Sequence, residues 1–217
     1  MKTGILMTLP RSDDVTEYLF VFSQPIIRAC NKKRIRIKTL IQNNATRDKF
    51  ESIIGRLNYN TIIFNGHGYP NSILGHKNVE LIKLGENESI LKDRITYSRT
   101  CWSVLGIGKK CIENSKKGCF IGYNIPFMFF MDSNWTTNPV KDNTAKVFFD
   151  TSNKIALALI KGNTTQEAHD NSKKSMLKEI NKALKKKDKD SKAIAQVLWN
   201  NYCGQKLLGN QNARLIN

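Results

Sequence analysis

A chain of 217 residues, 40% of them hydrophobic, is long enough for one domain with a sizeable core, or for such a domain with a helical extension. A formal net charge of +17 attracts anionic partners without saying anything about fold. No apolar run approaches membrane-spanning length, no internal repeat is present, and five cysteines with three histidines fit no common zinc spacing, so a cytoplasmic protein with no metal framework is expected.

Met1 to Leu9 holds a short apolar run that Pro10, Asp13 and Asp14 follow at once. It is too short for the core of a signal peptide and reads as a first strand over 4–9. A helix is expected over 14–29, a strand over 35–40, a helix over 47–57 and a strand over 61–65. A Gly- and Asn-rich loop with a short helical piece fills 69–93. A strand over 94–100, a helix over 103–114 and a strand over 118–123 follow, and after Pro126 the pattern turns helical. This alternation predicts an α/β fold: a mostly parallel central sheet with helices on both faces and right-handed crossovers. Cys111 on the helix and Cys119 at the start of the next strand fit as core filler.

Two of these strands stop abruptly at a reactive side chain. Thr61-Ile62-Ile63-Phe64-Asn65-Gly66-His67-Gly68 ends at a histidine, and Ile95-Thr96-Tyr97-Ser98-Arg99-Thr100-Cys101-Trp102-Ser103 at a cysteine. A free thiol with a pKa of about 8.5 is only a few per cent thiolate at neutral pH, and an imidazole that takes its proton makes it a working nucleophile. His67 and Cys101 are 101 − 67 = 34 positions apart, too far to meet on one element. They meet only if their strands lie close in one parallel sheet and end at the same edge, where open α/β sheets place their active sites. Gly68 would let the backbone approach a substrate closely, and its N–H would join that of Cys101 as an oxyanion hole. Separately, Gly-His-Gly fits a tight turn with a solvated imidazole, and a strand-end cysteine fits a small buried hydrophobe; the two together, in this order, favour the dyad.

A hydrophobic strand ending in His-Gly, then a second ending in a small residue and Cys, resembles the caspase, gingipain and legumain clan of cysteine peptidases. The likeness is greatest to the gingipain-type branch and the prokaryotic caspase-like (CHAT-like) domains, because Asn44-Ala45-Thr46-Arg47-Asp48-Lys49-Phe50 is also similar to theirs. It covers residues 1 to 130. The resemblance implies a three-layer caspase-like fold, cysteine-type peptide hydrolysis with His67 as base and Cys101 as nucleophile, oxyanion donors at the Gly68 and Cys101 N–H groups, and no metal or organic cofactor. One departure is Thr100, where the clan usually has Ala or Ser. The expected organisation is a caspase-like catalytic domain over 1–160 with a basic helical C-terminal extension over 161–217 packed on the same domain.

In the same clan a residue in the loop after the first strand often reads the charge of the side chain ahead of the cut bond. Here that loop is Pro10-Arg11-Ser12-Asp13-Asp14. Asp13 or Asp14 would favour lysine or arginine, and Arg11 an acidic residue through a bidentate contact. Two acids against one arginine lean toward a basic preference, while Asp14-Val15-Thr16-Glu17 has the spacing of a capping box, in which these acids would only start a helix. Phe127, Phe129, Phe130 and Trp135 either line a substrate cleft, with Phe127 and Trp135 as binding residues, or pack a loop onto the core. Asp132 either orients His67 or caps a turn. His76 does not directly follow a hydrophobic strand, and His169, at a polar helix start, is expected to be solvated.

The basic surplus is densest in Lys182-Ala183-Leu184-Lys185-Lys186-Lys187-Asp188-Lys189-Asp190-Ser191-Lys192 and would attract nucleic acid without sequence selectivity. No zinc knuckle or aromatic–basic interleaving accompanies it. Met176, Leu177, Ile180 and Leu184 recur at helical spacing, so that face is expected to pack and the lysines to stay solvated. The resulting expectation is a cytoplasmic cysteine endopeptidase acting on protein or peptide substrates, with non-specific nucleic-acid contact and no membrane. The alternatives are a catalytically inactive caspase-like regulatory protein, a basic nucleic-acid-binding module, and hydrolysis of a non-peptide amide or thioester by the same dyad. An inactive relative would typically have lost the histidine or the cysteine, and both are present.

Overall fold

The computed structural model describes residues 1–186 and 189–216; Lys187 and Asp188 of the basic run lie outside the described residues. In chain order the elements are β1 (Lys2–Leu9), α1 (Asp14–Lys32), β2 (Ile37–Ile41), α2 (Arg47–Leu57), β3 (Tyr59–Asn65), β4 (Gly68–Tyr69), β5 (Ser72–Leu74), β6 (Glu80–Lys83), β7 (Ile95–Arg99), α3 (Lys109–Ile112), β8 (Cys119–Tyr123), α4 (Asn143–Ile160), α5 (Thr165–Lys186), α6 (Lys189–Gly204) and β9 (Gln205–Gly209). A π-turn, Val104–Gly108, leads into α3.

The central sheet runs β2-β1-β3-β7-β8-β9, parallel throughout except for β9, which pairs antiparallel with β8. Both faces are covered, which is why β1, β3, β7 and β8 are near-continuous apolar runs rather than alternating ones. Ile5, Met7, Ile63, Tyr97 and Ile121 pack with Ile26 and Cys30 of α1 and Ile155 and Leu159 of α4. The intervening Leu6, Ile62, Phe64 and Phe120 pack with Phe50 and Ile54 of α2, Cys111 of α3, and Val104 and Ile107. Each such fully buried aliphatic or aromatic side chain contributes about 1.5–3 kcal/mol.

Two segments differ from expectation. The loop expected over 69–93 contains a three-stranded antiparallel sheet, β4-β5-β6. Ile73, Leu81 and Ile82 of this segment are fully buried against the second face, and their backbone groups must pair to follow them inside. The C-terminal part, expected to be helical, ends in β9, which covers the edge of β8 that would otherwise carry unpaired backbone. On α5 the buried face is Thr165, Ala168, Ser172, Met176, Ile180 and Ala183. Leu177 and Leu184, expected on that face, stand 37% and 51% exposed, because the face that meets its neighbours follows the small residues.

Candidate active site

The pairing of β3 with β7 sets Thr61 opposite Ile95 and Asn65 opposite Arg99, an offset of 95 − 61 = 99 − 65 = 34. His67 and Cys101 keep that offset, 101 − 67 = 34, two residues past the last pair. Register therefore brings the two strands out at one level of the sheet's carboxyl edge, where His67 and Cys101 line one cleft. The loops beyond are locked together. A Cβ on Gly68 would lie 2.8 Å from Thr100 Cβ and 3.3 Å from Cys101 O, so a glycine is what allows this approach. The hairpin of β4 and β5 presents Pro70 O to the turn after Cys101, where Ile107 N–H donates to it at 2.9 Å. A Cβ on Gly106 would collide with the same oxygen.

His67 Nε2 lies 2.8 Å from Asp13 Oδ2. Asp13 is also the N-cap of α1: its Oδ1 accepts from Thr16 N–H at 2.8 Å, and Thr16 Oγ1 accepts from Asp13 N–H at 3.0 Å. The capping box expected at Asp14 and Glu17 is thus formed one residue earlier, by Asp13 and Thr16, and Asp14 stands exposed in the first turn. Burial alone would raise the Asp13 carboxyl, but the Thr16 N–H, the His67 ring and the Thr16 hydroxyl outweigh it and hold the pKa below its usual value. With Nε2 engaged by the carboxylate, Nδ1 is the ring nitrogen left to exchange a proton.

Cys101 is half-buried. Burial pushes its thiol up, and the nearby Phe127 backbone N–H works in the other direction. Among the described residues His67 and Cys101 share a cleft without a hydrogen bond between them, and the imidazole is held by Asp13. Trp102 follows with φ 53°, a left-handed conformation that costs a non-glycine residue about 1–3 kcal/mol. Its N–H reaches Ile125 O at 3.4 Å, which turns the chain out of the sheet directly after the cysteine. Leu74 N–H donates to His67 O at 3.0 Å, so Gly68 and Ile73 form a non-hydrogen-bonded pair and Gly68 N–H faces away from β5. The Cys101 N–H has no acceptor among the described residues.

The cleft has a volume of about 740 Å³ and is lined by His67, Gly68, Tyr69, Asn71, Asn78, Glu80, Cys101 and Trp102, with Ser72 and Leu74. A groove of about 860 Å³ bounded by Leu84, Ile112 and Leu208 contains neither His67 nor Cys101. Of the other residues singled out from sequence, Arg11 is bound by Glu17 at 2.6 and 3.0 Å and lies 4.0 Å from the Phe20 ring centroid. The Phe127 ring packs among Tyr123, Phe129 and Phe149. Trp135 sits in the turn Ser133–Trp135 with Lys141 Nζ 5.3 Å from its ring. Neither aromatic side chain lines the cleft. Asp132 caps that same turn by accepting from Asn134 N–H at 3.0 Å. His76 Nδ1 is 2.8 Å from Pro10 O. His169, expected to be solvated, is instead largely covered, its Nε2 3.5 Å from Gln205 O, and burial together with Lys173 pushes its pKa down.

Two features carried no signal in the sequence. One is the pairing of Asp13 with His67, 54 positions away. The other is Arg99, 1% exposed at the end of β7. Its guanidinium donates to Asn65 Oδ1 at 2.8 Å, Asn153 Oδ1 at 2.8 Å and Ser23 Oγ at 2.6 Å, so it ties the last residues of β3 and β7 to α1 and α4. All three acceptors are neutral, and burial pushes the Arg99 pKa down.

No protein-family model and no curated protein matches the chain. Among solved structures it is similar to the Arg specific cysteine proteinase gingipain R (RgpB), with 12% identity and a TM-score of 0.57 over 98% of this chain and 47% of that one. It is also similar to the complex of Porphyromonas gingivalis RgpB pro- and mature domains, with 10% identity and a TM-score of 0.56 over 96% of this chain and 47% of that one. The chain thus spans just under half the length of the structures it matches. At these identities the likeness shows the fold, which is caspase-like: a mostly parallel central sheet between helical layers.

Proposed function

We propose that the chain is a cysteine peptidase in which Cys101 is the nucleophile, His67 the general base and acid, and Asp13 the residue that orients His67. The observation that carries this reading is the common offset of 34 between β3 and β7, together with the cleft that His67 and Cys101 both line just past those strands. The caspase-like fold shared with a cysteine proteinase supports it.

At rest the thiol, pushed up by burial, holds its proton. Proton transfer to His67 Nδ1 is then coupled to substrate entry, in keeping with catalytic hydrogen bonds that tighten only in the complex. The sulfur attacks the peptide carbonyl carbon, a C–S bond forms, and the carbonyl electron pair moves onto the oxygen facing the Gly68 and Cys101 N–H groups. His67 protonates the leaving amine as the C–N bond breaks. Water then attacks the thioester, giving one proton to His67, which passes it to the sulfur as the C–S bond breaks, so that the acid leaves and the thiol is restored.

Cys101→Ala tests this reading on peptide substrates. Because the side chain is half-exposed and small, the variant should melt within about 4 °C of the wild type and show no hydrolysis. Hydrolysis that persists contradicts the assignment, and a large drop in Tm marks a structural cysteine instead.

A further inference from the structure

The cleft around Cys101 is walled mainly by one stretch of chain. Tyr69, Asn71, Asn78 and Glu80 all follow His67, and no lining residue comes from the loop after β1 or from residues 124–139. A group that protonates the leaving amine stands on the leaving-group side of the cut bond. The residues that wall the cleft together with His67 are therefore the candidates for contact on that side.

Glu80 is the one carboxylate in this lining. It opens β6 with its side chain 40% exposed, and its Oε2 lies 3.3 Å from Lys83 Nζ. Lys83 is also held by Glu86 at 3.0 Å, so it stays paired when Glu80 turns to another cation. Tyr69, 52% exposed, and Trp102 add aromatic faces that attract a guanidinium or ammonium group.

We propose that Glu80 forms a subsite for a lysine or arginine side chain on the leaving-group side of the bond cut at Cys101. The inference rests on the cysteine-peptidase reading. It places a charge-reading residue on β6, across the cut bond from the side chain that the loop after β1 is expected to read. The net charge of +17 repels cationic peptides at long range, and within a Debye length the carboxylate selects against that background.

Quenched fluorescent peptides sharing one acyl half and carrying Arg, Lys, Gln or Glu at the first two leaving-side positions test this. Their kcat/KM is compared for the wild type, Glu80→Gln and Lys83→Gln, and their binding to Cys101→Ala, with and without Glu80→Gln, is followed by anisotropy. The wild type should favour Arg over Gln by about fivefold, the scale of a partly exposed ion pair. Glu80→Gln should remove that preference, lowering kcat/KM for the Arg and Lys peptides more than for the Gln peptide, and Lys83→Gln should widen it. Equal cleavage and binding of Arg and Gln peptides, or a preference that survives Glu80→Gln, overturns the subsite while leaving the peptidase reading intact. No hydrolysis, combined with Arg-selective binding that Glu80→Gln abolishes, refutes the peptidase reading and upholds the cation site.

Discussion

Replacing Asp13 by asparagine should leave the fold nearly as stable as before and slow hydrolysis by about 10- to 100-fold. Asparagine caps a helix as well as aspartate does, so the bond from Thr16 N–H, 2.8 Å in the wild type, survives. What is lost from stability is the attraction of a carboxylate for the start of α1, about 0.3–1 kcal/mol. Alanine removes the cap as well, at a further cost of about 1 kcal/mol. With a slope of about 2–4 °C per kcal/mol, Asp13→Asn should melt within about 4 °C of the wild type and Asp13→Ala about 2–4 °C lower again. For activity, the His67 and Asp13 side chains are 36% and 41% exposed, so their attraction alone is limited to about 1 kcal/mol, or fivefold. The rest is orientation of the imidazole, bounded by the roughly 10²–10⁴-fold that a positioned base supplies. Steady-state kinetics with single and double variants reads this directly: on a His67→Ala background, Asp13→Asn should cost nothing further. An unchanged kcat in Asp13→Asn, or a loss that adds to that of His67→Ala, would refute the assignment. Acid unfolding gives a second arm. The Asp13 pKa is depressed in the fold, so its contribution is present above the usual 3.8 and is lost as pH falls through the lower folded value. That part of the acid limb should be missing in Asp13→Asn.

Gly68→Ala places a Cβ 2.8 Å from Thr100 Cβ. It should force the two loops apart at a cost of about 1–3 kcal/mol, with kcat/KM down by about 100-fold or more from misplacement; near-normal activity would remove the Gly68 N–H from the oxyanion site. Arg99→Met strips Asn65, Asn153 and Ser23 of their buried donor, and urea unfolding should report a loss of about 2–4 kcal/mol. A loss below about 0.5 kcal/mol would contradict the clamp drawn between β3, β7, α1 and α4. In His67→Ala the rate of Cys101 alkylation should rise with pH through a midpoint above that of a free thiol, because burial pushes the thiol up. Equal rates for wild type and variant at neutral pH would show that the imidazole does not reach the thiol.

The strands that carry His67 and Cys101 were legible because burial on both faces makes them continuous apolar or β-prone runs, each broken at a reactive residue. The distance of 34 positions was visible too, but it acquires meaning only once Thr61 is set opposite Ile95. Asp13 and Asp14 are equivalent in sequence. They separate only because Asp13 is extended, with φ −155°, and therefore serves as the cap and reaches the imidazole. β4, β5 and β6 span two to four residues each, too few to show a period, and β9 follows a long helical pattern that hides it. Trp102 occupies a left-handed position where composition would point to Gly or Asn. Arg99 defies the rule that charged residues stay outside, and its partners come from three elements distant in the chain.

The most direct measurement is to react the protein with peptidyl acyloxymethyl ketones carrying Arg, Lys, Asp, Asn or Leu next to the warhead and to map the adduct by mass spectrometry. Selective labelling of Cys101, lost in His67→Ala, is the result the dyad requires. An unlabelled Cys101, or equal reaction at all five cysteines, would contradict it.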